Sequence, residues 1–143
     1  MDINLDGKRF RSVSNTQPWT VAYWALMAAF VLSAALNMLH IRAGFLTNHL
    51  SDVVVPALLY VIGRGLVPGI QARPRWAADL LRRSPAQAAI LLFVASAVTE
   101  VSQIWWPRGV FSGRFDPLDL VSFAVGLAAC WAAEARWPGV QSS

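Results

Sequence analysis

Four long apolar runs separated by short polar segments dominate the chain. They cover residues 19–41, 50–70, 86–106 and 117–137. Each is about the 20 residues that an α-helix needs to cross the hydrocarbon core of a bilayer. Lipid cannot hydrogen-bond backbone N–H and C=O groups, so only helices and closed β-barrels span a membrane. The runs are continuous, whereas barrel strands alternate apolar and polar residues, so helices are favoured. The pattern predicts an all-α integral membrane bundle of four transmembrane helices, residues 19–137, with a polar segment before it (1–18) and a short tail after it (138–143).

Composition strengthens this prediction. The 143 residues are 56% hydrophobic and 14% charged, and the mean hydropathy is +0.46, which exceeds the apolar content of an ordinary soluble domain. The basic residues Lys8, Arg9 and Arg11 before the first run resemble the start of a secretory signal. That run is longer than a signal core, however, and "NMLHIRAG" after it is a poor cleavage site. An uncleaved first helix is therefore expected.

Orientation follows from the basic residues near the helix ends, which are enriched on the cytoplasmic side. Eight lie on one side, namely Lys8, Arg9, Arg11, Arg73, Arg75, Arg82, Arg83 and Arg136, against three on the other, namely Arg42, Arg108 and Arg114. This places both termini in the cytoplasm. The interface tryptophans agree, with Trp19, Trp76 and Trp137 on the cytoplasmic side and Trp105 and Trp106 on the outer side. Topology thus explains the net charge of +4, and no nucleic-acid partner is predicted.

Polar residues gather at the outer ends of the predicted helices. Three pairs are spaced three residues apart, so that each pair projects from one helical face. The candidate pocket comprises His49, Asp52, Glu100, Gln103, Arg108, Arg114, Asp116 and Asp119. Ionisable groups at a membrane edge are costly unless they pair or face a wet cavity, which makes them candidates for function.

Simpler roles are open for several of these residues. Asp116 before Pro117 is a good helix start, with Asp as the N-cap. The whole role of Asp52 could be a favourable interaction with the positive end of its helix dipole. Arg108 and Arg114 could only neutralise the carboxylates. Glu100 lies a turn or more inside its span, which favours a place in a site or in an ion pair that shapes one.

A metal constellation of His49, Asp52, Glu100 and Asp119 has suitable ligand types but no diagnostic spacing. We therefore predict no metal and no other cofactor. Arg64, in "YVIGRGLVPG", is expected to extend toward the headgroups. The segment "QARPRWAADLLRRSP" between the second and third runs is interpreted as a loop.

The last third of the chain carries a family resemblance. The order "TEVSQIWWPRG" and then "GRFDPLDLVSFAVG" resembles the VanZ-like family of small bacterial membrane proteins. That family shows a Glu and a Gln three residues apart, a Pro/Arg loop, a D-x-x-D helix start and a later Gly. Glu100, Gln103, Arg108, Asp116, Asp119 and Gly126 stand at those positions here, whereas Ser122 replaces an Asn that the family often has.

The resemblance implies a multi-pass protein of the bacterial cytoplasmic (inner) membrane. An outward-facing polar pocket in such a protein is expected to recognise or act on a cell-envelope component, such as a lipid headgroup or a lipid-linked precursor. The residues locate a site without identifying a reaction. The alternative is a non-catalytic accessory subunit of a larger membrane complex, since alanine-rich faces permit close helix packing. The partners left open are the lipid bilayer with a lipid-linked ligand, such a complex, and a second copy of the chain in a homo-oligomer.

Overall fold

A computed structural model describes residues 6–41, 44, 49–70, 74–105 and 115–138, with side chains from residue 17 onward. Within these residues the chain is helical and contains no strand. The five helices are α1 (Asp6–Met38), α2 (Leu50–Gly63), α3 (Arg75–Arg82), α4 (Pro85–Ser102) and α5 (Pro117–Arg136). The predicted all-α class is therefore confirmed.

Three of these helices are long and apolar enough to cross a membrane. They are the Gln17–Met38 part of α1, all of α4 and all of α5. Most of their surface is not covered by the protein, and exposed apolar side chains such as Val94, Val98 and Val125 line it. A surface of this kind is suited to lipid rather than to water.

The second apolar run forms a shorter helix than its length suggests. Helix α2 has 14 residues, or about 21 Å at 1.5 Å per residue, against a hydrocarbon core of about 30 Å. It ends at Gly63, and Gly65 follows with a positive φ of 65°, a conformation that glycine adopts without steric cost. The chain then continues as an irregular segment in which Leu66 and Val67 are buried.

Helix α2 is the central element of the bundle. It packs against each of the other four helices, and half of its residues are buried. After Gly63, its neighbours cover Leu66 and Val67, whereas Pro68 and Gly69 are exposed. The core consists of Trp19, Ala57, Tyr60, Val61, Leu66, Val67, Ala88, Leu127 and Cys130.

Contacts at the helix ends define the direction of each helix. The indole nitrogen of Trp19 donates to the carbonyl oxygen of Trp137 at 2.7 Å, so α1 starts its apolar part where α5 ends. The hydroxyl of Tyr60, near the end of α2, lies 3.4 Å from the carbonyl oxygen of Pro85, at the start of α4. Helix α1 therefore runs against α5, and α4 runs against α2.

Tryptophan positions differ in part from the sequence prediction. Trp76 and Trp105 are each 70% exposed, as expected for residues at the ends of membrane helices. Trp19 is only 3% exposed, because its ring enters the core while its N–H is satisfied by Trp137. Trp106 lies outside the described residues.

The segment interpreted as a loop contains a helix. Residues Arg75–Arg82 form α3, in which Ala78 is buried and Trp76 is exposed. The loop interpretation was wrong because the helix is too short to leave a clear periodic signal in a stretch rich in proline and arginine.

Candidate functional site

The start of α5 is fixed by its own N-cap. The side chain of Asp116 accepts a hydrogen bond from the backbone N–H of Leu118 at 2.9 Å, and Pro117 occupies the first helical position. Asp116 thus satisfies a backbone donor that the helix leaves open. Asp116 therefore caps α5, which is the simpler of the two roles that the sequence left open.

Glu100 joins the end of α4 to the start of α5. Its carboxylate accepts from the backbone N–H of Asp116 at 3.1 Å and from the side-chain amide of Gln103 at 3.2 Å. Glu100 is only 6% exposed, so these bonds replace lost hydration, and charge-assisted hydrogen bonds are the strong ones. Glu100 therefore positions α5, and the Gln103 side chain supports it from one turn away.

His49 and Asp119 bring α2 and α5 together. Nδ1 of His49 lies 3.0 Å from Oδ1 of Asp119, although the two residues are 70 positions apart. His49 is the residue before α2, and Asp119 lies in the first turn of α5. Both side chains are partly exposed, so they are open to a ligand.

Asp52 completes this group of side chains. Its carboxyl lies within electrostatic range of Asp119, His49 and Glu100. Carboxyl groups at such range disfavour each other's ionised form. The cluster therefore concentrates carboxyl groups beside an imidazole.

Six of the eight predicted pocket residues are described, and the structure gathers them at one end of the bundle. We call His49, Asp52, Glu100, Gln103, Asp116 and Asp119 the helix-end cluster. The other two, Arg108 and Arg114, lie outside the described residues. Three helix ends supply the cluster: the start of α2, the end of α4 and the start of α5.

Some of these side chains could hold a metal ion. His49, Asp116 and Asp119 each offer one ligand atom, and the three atoms lie within 4.8 Å of one another. Imidazole and carboxylate together suit several divalent ions. This set shares His49 and Asp119 with the constellation considered from sequence. The absence of a metal stays a prediction.

A second polar network, which the sequence did not reveal, lies at the opposite end of α2 and α5. Arg64 is 6% exposed and Glu134 5%. Nε of Arg64 lies 3.1 and 3.2 Å from the two carboxylate oxygens of Glu134, and Nη2 makes a further short contact. The hydroxyl of Tyr60 donates to Glu134 at 2.6 Å. The expectation that Arg64 extends to the headgroups was therefore wrong.

This arginine network also holds the connection between α2 and α4. Nη1 of Arg64 donates to the carbonyl oxygens of Leu81 at 3.1 Å and Arg82 at 2.8 Å. These carbonyls belong to the last turn of α3. Carbonyl groups in the last turn of a helix have no N–H partner within the helix. A charged donor thus satisfies the end of α3 from inside the protein. The only sequence signal is the i, i+4 spacing of Tyr60 and Arg64, and it does not identify Glu134.

Helices α2 and α5 share both networks and a close contact between them. A Cβ added at Gly126 would overlap the carbonyl oxygen of Val53 and lie 3.2 Å from its carbonyl carbon. The backbones therefore approach closely one residue after Asp52. Only a residue without a side chain fits at position 126. The close contact also sets the spacing of the helices that carry His49, Asp52 and Asp119.

Comparison with known protein families, with curated proteins and with solved structures found no match to this chain. Fold and site together define a class: an all-helical protein with three candidate membrane-spanning helices and a polar cluster at one end. The resemblance to the VanZ-like family stays a prediction.

Proposed function

We propose that this is a VanZ-like protein of the bacterial inner membrane, whose helix-end cluster recognises or acts on a cell-envelope component. The observation that carries the proposal is the convergence of polar side chains from three helix ends, with His49 3.0 Å from Asp119. A cluster of this kind at the end of apolar helices lies at the depth of lipid headgroups. Ionisable groups at such a depth are costly and are usually kept for function.

The proposed topology has four passes with both termini in the cytoplasm. Helix α2 is short, but it runs between α1 and α5 and reaches from the helix-end cluster to the arginine network. The buried residues Leu66 and Val67 after Gly63 add to its length. With the excess of basic residues inside the cell, the helix-end cluster faces outward.

The described side chains favour a ligand with hydrogen-bond donors. Asp52, Asp116 and Asp119 contribute carboxylates, which accept hydrogen bonds and attract positive charge. Hydroxyl groups of a sugar, or an ammonium group, fit such a surface better than a phosphate does. A phosphate would instead be held by Arg108 and Arg114, in the loop between α4 and α5. A lipid-linked sugar phosphate combines both chemistries.

The cluster is also equipped for proton transfer. His49 contacts Asp119, and Asp52 lies within electrostatic range of both. A carboxyl and an imidazole within reach of a bound headgroup can act as general acid and base. Glu100 is not part of this step, because its carboxylate is committed to the start of α5.

We expect Asp119→Asn to fail to complement an envelope phenotype of a deletion strain. The change removes the carboxylate that His49 contacts, and hydrogen bonds to charged groups are worth about 1.5–3 kcal/mol, or about 10- to 100-fold in affinity. The matched control is Asp79→Asn, since Asp79 is an exposed carboxylate on α3, away from the cluster. Membrane levels of both variants are compared by immunoblot. Full complementation by Asp119→Asn and by Glu100→Gln at normal levels would remove the cluster from function.

The alternative, an accessory subunit, is supported by an apolar groove between α4 and α5. Its volume is about 360 Å³, and its lining includes Ala86, Ala89, Ala124, Ala128 and Trp131. Small residues let another helix approach closely in a membrane. In that case the helix-end cluster stabilises the bundle, and a partner protein accompanies the chain in constant proportion.

A further inference from the structure

Helix α3 carries three distinct surfaces. Ala78 is buried, and Leu81 packs against the core. Trp76 is 70% exposed and Leu80 39%, and a separation of four residues places them on one edge of the helix. The remaining exposed positions are charged.

The charged surface of α3 is mainly basic. Arg75, Arg82 and Arg83 are exposed, and Asp79 is the one acidic residue among them. Successive positions rotate by about 100° around a helix, so these side chains occupy an arc beside the Trp76 and Leu80 edge. A helix with an apolar edge and a basic arc lies in the interface plane of a bilayer, apolar side down.

The protein holds this helix in a fixed position. Arg64 donates from inside the bundle to the carbonyl oxygens of Leu81 and Arg82, and Glu134 fixes Arg64 in turn. Leu81 also lies against Gly63, where any added side chain would collide with it. The basic arc is therefore attached to α2 and α5 rather than carried by a free loop.

We propose that this surface of α3 binds anionic phospholipid headgroups in the membrane that surrounds the protein. Guanidinium groups match phosphate oxygens in geometry and charge. Trp76 and Leu80 supply the apolar contact that a lipid has and that a soluble phosphate lacks. The site is separate from the helix-end cluster and does not depend on what that cluster binds.

The test uses the purified full-length protein in nanodiscs of phosphatidylcholine and phosphatidylglycerol. The phosphatidylglycerol retained after transfer to detergent is measured by native mass spectrometry. The variant Arg75→Gln/Arg82→Gln/Arg83→Gln is compared with the wild type, and Arg136→Gln, an exposed arginine at the end of α5, is the matched control. We expect a loss of preference for the anionic lipid of about fivefold per arginine of the α3 surface, and a smaller loss in Arg136→Gln, which removes one arginine outside that surface. Equal retention in all three proteins, or equal loss in the two variants, would overturn the proposal.

A second measurement leaves the arginines in place, so that it holds even if the triple variant is poorly folded. Trp76 emission is taken as the difference between the wild type and Trp76→Phe, in nanodiscs that contain brominated lipid. Brominated phosphatidylglycerol is expected to quench this emission more strongly than brominated phosphatidylcholine at the same content. Equal quenching by the two lipids would contradict a headgroup preference at α3.

Discussion

Replacing Glu134 with glutamine is expected to lower the free energy of unfolding by about 3–5 kcal/mol, the cost of leaving one member of a buried ion pair without its partner. The glutamine keeps the shape of the side chain, but it removes the charge that compensates the guanidinium of Arg64. That guanidinium is 6% exposed, so water cannot replace the carboxylate. Reversible unfolding of the purified protein in mixed micelles measures the change.

Two further variants separate the ion pair from a general effect of charge at this end of α5. Arg136→Gln removes an exposed charge two residues away and is expected to change stability by no more than a surface substitution does, about 0.5 kcal/mol. The double variant Arg64→Met/Glu134→Leu leaves no unpaired charge and is expected to be more stable than Glu134→Gln alone. A Glu134→Gln protein as stable as the wild type would show that the two side chains do not form a buried pair.

Replacing Gly126 with alanine is the second substitution with a large expected effect. The new Cβ would overlap the carbonyl oxygen of Val53. The contact is with backbone, so no side-chain rotation relieves it, and α2 and α5 must move apart. Overpacking of this kind costs about 1–3 kcal/mol. Unfolding in mixed micelles measures this loss as well.

The control for Gly126→Ala is Ala129→Val on the same helix. Ala129 is exposed, so the added methyl groups would meet lipid rather than backbone. We expect Ala129→Val to have wild-type stability. Because Val53 follows Asp52, Gly126→Ala should also separate His49 from Asp119. Wild-type stability of Gly126→Ala would contradict the close approach of α2 and α5.

The helices and the position of the polar residues could be read from the sequence because both depend on local patterns. Runs of about 20 apolar residues predicted α1, α4 and α5, and Asp116 before Pro117 predicted where α5 begins. Spacings of three residues predicted that Glu100 and Gln103 share a face, and their side chains are hydrogen-bonded. These inferences need no knowledge of how the helices pack.

Contacts between distant residues could not be read in this way. Arg64 and Glu134 are 70 positions apart, and each alone fits a side chain that extends to the membrane surface. The same limit applies to the roles within the helix-end cluster. Glu100 was predicted to belong to a site or to an ion pair that shapes one, and its carboxylate accepts from the backbone at the start of α5, whereas Asp119 contacts His49.

The central claim is that the helix-end cluster binds an envelope component, and the most direct test is to identify what accompanies the protein from its own membrane. Tagged wild type, Asp119→Asn and Asp79→Asn are purified gently, and the lipids and proteins in each preparation are identified by mass spectrometry. We predict that a particular envelope lipid accompanies the wild type and Asp79→Asn and is lost from Asp119→Asn. The same lipids in all three preparations, with other subunits in constant proportion, would contradict the claim and identify the protein as an accessory subunit.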